Sequence, residues 1–591
     1  MITKYSRLRV RRKFRARKKA IAQTAETANK GLERHVFRRT HNWQFAKRFF
    51  ITWLALIVII AGGLLLQIRS LSATYLVVTP TGGGVYNEGI VGNIKNINPI
   101  FASSSADISV STLVFSSLLT YNNNNQLIGD IAKEWKSDAT SKVFTVTLRD
   151  DVYWQDGEKL TADDVLFTYQ TMQNPDTKSP YYSTWRGIKI EKVDDKTIVF
   201  TLPNAYSPFL HLLTNGVVPE HILASVPKDQ LRGSKFNTQE AVGSGPFKLS
   251  SVTVEKSSDI QTSETIQMVK YDSYHRGEVQ LDGFTLKTYP DDRALKDALK
   301  NKDVIGALID NSDNDTDFST IRFNQTSAAM LFMNTTRPLL TDLKMRNTLI
   351  SATDVARISS LLDYPTTPVR SPILKDQIGY DASQLQQPYK PDAVNNSLNE
   401  LGWVWNEGEP YRKKDGKELT LQFVSENTTE YSRFAEEVQK QWAQFGIKTN
   451  VVLENPDEIG TTSLADKEYD ILLYAINIGP DPDVYVYWHS SQAKPDAKPG
   501  FNFSQYSSTK ADQSLEDGRS RADPTLRAIK YKPLLEAWKA DIPAIGLHQP
   551  RVAYTTNSPV YNLDEMTINT VADRYRNVYN WQITTTKTTQ K

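Results

Sequence analysis

The chain has 591 residues, too many for one compact core, so two or three domains are expected. It has no cysteine, which excludes disulfides, thiolate metal sites, a cysteine nucleophile and a lipidated N-terminal cysteine. The net charge of +3 hides an asymmetry: residues 1–50 carry 16 Lys/Arg against 2 Asp/Glu, a net of +14, which leaves −11 on the other 541 residues.

The basic run Arg7–Lys19, RLRVRRKFRARKK, is open to three readings: nucleic-acid binding, attraction to anionic lipid, and a topology signal. The next segment decides. Phe49–Ile68, FFITWLALIVIIAGGLLLQI, has no charged residue. Twenty helical residues span about 30 Å, the hydrocarbon thickness of a bilayer. Lys47 and Arg48 flank one end and Arg69 the other, and Trp53 lies near the basic end, where an indole suits the interface. The Lys/Arg excess therefore predicts a single-pass protein of the cell membrane. Residues 1–48 form a basic cytoplasmic segment, 49–68 a transmembrane helix in contact with lipid, and 69–84 a linker. The rest is extracellular or periplasmic. Nucleic acid is not an expected partner. The basic stretch is too long for a usual signal peptide, so an uncleaved anchor is expected.

Beyond the linker, which ends in Pro80 and three glycines, folding is expected to begin near Val85. Asn122–Asn125 is a polar loop. Val143–Leu148 and the shorter Val152–Trp154 alternate like strands, and Asp156-Gly157 is a turn signal. Thr161, three residues before Asp164, is a capping-box start for a helix over Val165–Met172. Ile188–Leu202 alternates around Asp194-Asp195 as a hairpin, and Ile266–Tyr271 and Leu281–Tyr289 read as strands. In the second half, strands are expected at Leu419–Ser425, Lys448–Leu453 and from Glu468 onward, with helices at Arg433–Phe445 and Lys530–Ala540. There is no G-x-S-x-G, H-E-x-x-H, G-x-x-x-x-G-K-[ST] or G-x-G-x-x-G before a helix. The seven histidines lack ligand spacing, so no metal, no cofactor and no enzymatic activity is expected.

The run LIGDIAKEWKSD…FTVTLRDDVYWQDGEKLTADDVLFTYQ resembles the signature of the family 5 extracellular solute-binding proteins, the peptide, dipeptide and nickel receptors of bacterial ABC importers. Nearly every fixed position of L-A-x-x-W…F-x-L-R-x-x-V-x-F/W-x-D-G-x-x-x-T-A-x-D-V-x-F is met. Further matches follow in the family's order: GIVGNIKNINPIFA, VSTLVFSSLLTY, VVPEHIL, AVGSGPFKL, the run from Ser327 to Ile358, the helix Tyr389–Trp403 with Gly402 as a left-handed cap, and IPAIGL. Met345, Thr348 and Ala356 are mild departures. Gly243 and Gly245 suit a positive φ or a close backbone approach.

The resemblance runs from about Gly89 to Val560 and implies an α/β, two-lobe periplasmic-binding-protein-like (type II) fold with an extra subdomain, preceded by one transmembrane helix. Lobe I would span 85–325, with an insertion at about 122–240; lobe II would span 326–543; and 544–591 would return to lobe I. The chain would cross near Gln325 and return near Pro543. The implied function is capture of a solute by hinge closure and delivery to ABC permease subunits.

Tyr474–Trp488, YAINIGPDPDVYVYW, matches the family loop that faces the cleft. Peptide receptors of the family show W-x-x-D-x-x-D-P-D there, and the first aspartate pairs with the ligand's α-ammonium. Here Ala475 and Ile478 stand at the tryptophan and aspartate positions. A shift of two or three residues would bring Asp481 into that role; the competing reading is that Asp481 and Asp483 cap the next helix. Family position nominates Asn98, Asn334, Tyr474, Asn477, Ile478, Asp481, Tyr485 and Asn502 as ligand-binding residues. The implied ligand is a peptide or other small zwitterionic solute, held by hydrogen bonds and aromatic walls. Two alternatives are a ligand-sensing ectodomain signalling through its helix and basic tail, and a hydrolase using a carboxylate pair.

Overall fold

The computed structural model describes residues 16–27, 43–256, 262–309, 316–362, 364–493 and 500–589. Most of the basic run Arg7–Lys19 lies outside them. The chain divides into two compact units, Met1–Thr79 with Thr585–Lys591, and Pro80–Thr584.

In the first unit, a 33-residue helix runs from Trp43 to Tyr75. Its segment Lys47–Gln67 is long and apolar enough to cross a membrane, and none of it is buried in protein. The helix continues past the expected end at Ile68 because Arg69–Tyr75 contains neither Gly nor Pro to stop it. The expected linker 69–84 is thus largely ordered. Its β-branched stretch Leu76–Thr81 forms a strand that pairs with Thr584–Thr589.

The second unit is built on two large sheets. The first has eight strands in the order Thr567–Ile568, Ser319–Gln325, Arg551–Thr556, Gly306–Ala307, Val85–Val91, Gly283–Tyr289, Thr262–Lys270, Phe247–Lys256. The second has six, in the order Thr367–Pro368, Ala544–Gln549, Ser327–Met333, Ile471–Asn477, Thr420–Glu426, Lys448–Glu454. Ser327–Met333 lies in mid-sheet with both faces covered. Leu331 and Met333 enter one apolar cluster, and Ala328, Met330 and Phe332 the other, which is the period of two expected of a doubly buried strand.

The chain passes between the sheets twice. Ser319–Gln325 continues through buried Thr326 into Ser327–Met333. Ala544–Gln549 continues through Pro550 into Arg551–Thr556. The return therefore falls at Pro550, not Pro543: Ala544–Gln549 is wholly buried in the second sheet, and the missing N–H of Pro550 interrupts the ladder there. The two crossings are tied together, with Gln325 N donating to Pro550 O at 2.9 Å and Gln549 Nε2 to Gln325 O at 2.7 Å.

The segment inserted in the first lobe forms a four-stranded sheet, Ala132–Ser137, Val143–Leu148, Thr197–Thr201 and Lys189–Asp194. The Thr161 capping box is formed, and the helix it starts runs from Ala162 to Gln173. Val152–Trp154 is not a strand; Tyr153 makes only an isolated bridge to Lys159. Its neighbour Gln155 does a different job. It donates to Phe247 O and Gly245 O and accepts from Gly243 N, clamping the glycine loop. A Cβ on Gly243 would lie 1.9 Å from Val114 O, so this glycine serves close approach rather than positive φ. The clamp fixes the end of the helix Ser105–Val114, which leads directly into the cleft wall.

Candidate functional site: the cleft between the lobes

A cavity of about 550 Å³ lies between the lobes. Its first-lobe wall is aromatic, with Phe115, Tyr121, Tyr181, Trp185, Tyr274 and Tyr579, and its second-lobe edge is Asn477, Gly479 and Pro480. Phe115 follows the Ser104-capped helix, Tyr121 ends the strand Leu119–Tyr121, and Tyr579 follows the Thr570–Asp573 capping box. Rings on a rigid frame bury a solute's surface at little entropic cost, and the volume suits a small organic ligand.

The second-lobe loop hangs from the hinge. Ile478 N and Gly479 N both donate to Thr326 O, at 2.9 and 3.0 Å, and Gly479 has φ +78°, a conformation that favours glycine. Beyond it, Asp481 accepts two 2.7 Å hydrogen bonds from Arg527, and both residues are buried. Burial alone would raise the Asp481 carboxyl. Hydrogen bonds and charge from Arg527, and secondarily from His211, outweigh it and hold the group at about 2. Burial pushes the Asp483 carboxyl up, against the pull of Arg519 at 2.9 Å. Arg519 in turn lies over the rings of Tyr485 (4.2 Å) and, across the cleft, Tyr206 (5.3 Å). Ser207 Oγ donates to Arg519 O, and His211 Nε2 lies 3.5 Å from Asp481 Oδ2 while its Nδ1 meets Tyr121 OH at 2.9 Å. The lobes thus meet through a polar cluster at the cleft's edge.

The nominated residues separate into framework and wall. Asn98, Asn334 and Asn502 are completely buried. Asn98 bonds Asn237 and the Ile100 amide, Asn334 bonds Lys467 O and Thr336, and Asn502 bonds His489 O and Tyr506. Each holds a turn and none lines the cleft. Ile478 packs into the second lobe's core, and Tyr485 is stacked between His489 and Arg519. Asp481 caps no helix and does not line the cavity, and Arg527 bonds both its oxygens; Asp483 pairs with Arg519 through one oxygen. The short helix Tyr485–Trp488 has no side-chain cap at all. Tyr474 lines a separate hollow of the second lobe beside Phe503. Of the eight, Asn477 alone lies on the cleft wall. No sequence pattern singles out the aromatic wall or Arg276; Tyr274 and Arg276 sit in a turn after Thr262–Lys270 whose spacing carries no chemical signal.

Two lobes joined by paired crossing strands, with a walled cleft between, define a hinged solute-binding protein. The profile of the bacterial extracellular solute-binding proteins, family 5, matches residues 126–497, more than half of the chain, and the protein belongs to that family. The oligopeptide-binding protein AppA of Bacillus subtilis is 26% identical over 493 residues, covering 80% of this chain and 87% of AppA. The probable D,D-dipeptide-binding periplasmic protein DdpA of Escherichia coli is 25% identical over 460 residues, 73% of this chain and 81% of DdpA. Among solved structures, NikZ of Campylobacter jejuni in complex with Ni(L-His) superposes with a TM-score of 0.65 at 27% identity, covering 84% of this chain and 99% of NikZ. CtaP of Listeria monocytogenes shares the fold with a TM-score of 0.70 at 22% identity, covering 85% of this chain and 99% of CtaP.

Proposed function

We propose that the protein is the membrane-anchored receptor of an ABC importer, which captures a peptide-like solute between its lobes and presents it to a permease. The observation that carries this reading is the aromatic cleft of about 550 Å³ bounded by two strands that cross together at Thr326 and Pro550. Such a pair is a natural hinge: the two linkers are hydrogen-bonded to one another and bend as one. Relatives named for oligopeptides and dipeptides favour a peptide-like ligand. The apolar helix Lys47–Gln67 would retain the receptor at the membrane, with the basic segment inside. The test is native mass spectrometry of the full chain in detergent, followed by thermal shift with tripeptide pools. Retained peptide masses, or a rise in melting temperature with peptides, are expected. An empty protein indifferent to peptides would overturn the reading.

A further inference from the structure

Tyrosines aside, the ionisable side chains lining the cleft are Asp130, His211, Arg276, Asp573 and Arg576. Four of them are engaged. Asp130 is buried, accepts from the Ser117 amide at 3.0 Å and meets His275 Nε2 at 2.7 Å. Asp573 pairs with Arg576 at 2.6 Å and accepts from the Asn569 amide at 2.7 Å. Arg576 also donates to Thr567 O and Asn125 Oδ1, at 2.7 and 2.8 Å, and only its buried Nε lacks an acceptor among the described residues. His211 is held between Tyr121 and Asp481.

Arg276 is different. It is half-buried, lies over the Tyr579 ring at 5.2 Å and adjoins the Tyr274 hydroxyl. Among the described residues, no carboxylate comes within the 4.0 Å of an ion pair. The carboxylate that acts on it most strongly is Asp130, which already accepts from the Ser117 amide and meets His275. A guanidinium carries five N–H donors in a planar fork, and a carboxylate is the group that fits it bidentately. The tyrosine ring beneath restricts the fork's orientation before any ligand arrives. The opposite end of a zwitterion finds no such partner. The two carboxylates in the wall are already paired, Asp130 with His275 and Asp573 with Arg576, so an α-ammonium brought into the cleft would lose water and have to compete with those partners for an ion pair.

We propose that Arg276 anchors a carboxylate of the bound solute and that the cleft does not require a ligand ammonium. The preferred class is then peptide-like acids, including those whose amino end is acylated. This rests on the solute-receptor reading above.

The experiment uses the full chain in detergent and one tripeptide pool in four end-group forms: free, N-acetylated, C-amidated, and both. Apparent affinity is read from the concentration dependence of the thermal shift. Acids are expected to bind at least about tenfold more tightly than amides, with acetylation changing affinity less than about threefold. Arg276→Gln should remove the preference for acids while leaving the ligand-free melting temperature near that of the parent. Arg276→Lys, which keeps the charge but not the fork, should retain only part of it. Equal binding of acids and amides, or loss of binding on acetylation, would overturn the anchor and leave the receptor reading standing. Binding of none of the four would overturn both.

Discussion

The buried pair of Asp481 and Arg527 sets the loop that edges the cleft, and Arg527→Met tests its role. The change removes both 2.7 Å hydrogen bonds while keeping an unbranched side chain of similar reach. It strands a buried carboxylate, which costs roughly 3–5 kcal/mol when one partner of such a pair is lost. The parent's own dependence on this group follows from linkage. A carboxyl held at about 2 when folded, against about 3.9 when unfolded, contributes roughly 2.6 kcal/mol. That contribution is fully present above the unfolded value and is lost as the pH falls through the folded one. In the variant the sign reverses: burial, no longer opposed by Arg527, raises the carboxyl, so its penalty is greatest at neutral pH and shrinks on acidification toward pH ~4. Urea unfolding of the full chain, followed by tryptophan fluorescence at neutral pH and near pH ~4, reads both effects. The double variant Asp481→Leu with Arg527→Met, which removes both charges, should recover most of the loss at neutral pH. A cost for Arg527→Met below ~1 kcal/mol, or a deficit that widens on acidification, would refute the reasoning.

Other substitutions probe the hinge, the scaffold and the anchor. Gly243→Ala would place a Cβ 1.9 Å from a backbone oxygen, so it should cost more than about 4 kcal/mol in urea unfolding or prevent folding. Gly89→Ala meets the end of the Leu295 side chain at 2.3 Å and the edge of the Tyr289 ring at 3.2 Å, side chains rather than backbone, and should cost about 1–3 kcal/mol in the same assay. Thr161→Ala removes the cap of the helix Ala162–Gln173 and should cost about 0.5–2 kcal/mol. His211→Ala removes the contact with Asp481 across the cleft and the bond to Tyr121; ligand dissociation measured by stopped flow should quicken, with a fall in the ligand-free melting temperature smaller than that of Arg527→Met. Deleting residues 2–40 should leave peptide uptake by cells intact, since the span Lys47–Gln67 remains; loss of a cellular response without loss of uptake would favour a sensor.

Much of the scaffold was legible because it is written in local chemistry. The Thr161 box, the Asp194-Asp195 hairpin and the alternation of Val143–Leu148 depend on residues a few positions apart. Gly402 has the expected left-handed conformation, φ +85°. The return crossing was misplaced because Ile542–Leu547 is apolar enough to suit either sheet, and only its partners assign it to the second. The site was less legible still. Asn98, Asn334 and Asn502 are the polar residues that stand out in a linear reading, yet each is used to hold backbone. Asp481 looked like a ligand contact or a cap because its partner, Arg527, lies 46 residues away in sequence. Arg276, in an unremarked turn, acquires its significance only from what fails to surround it.

Closure of the lobes around a peptide-like solute is most directly tested by an intramolecular distance. The chain contains no cysteine, so Lys189→Cys in the first lobe and Lys532→Cys in the second, both exposed, give two unique dye sites. Single-molecule energy transfer on the full chain in nanodiscs, with and without a tripeptide pool, then reports opening and closing. Growth of one short-distance population with peptide, saturating at the concentration that saturates the thermal shift, is the expected result. Peptide binding that leaves the distance distribution unchanged would contradict hinge capture.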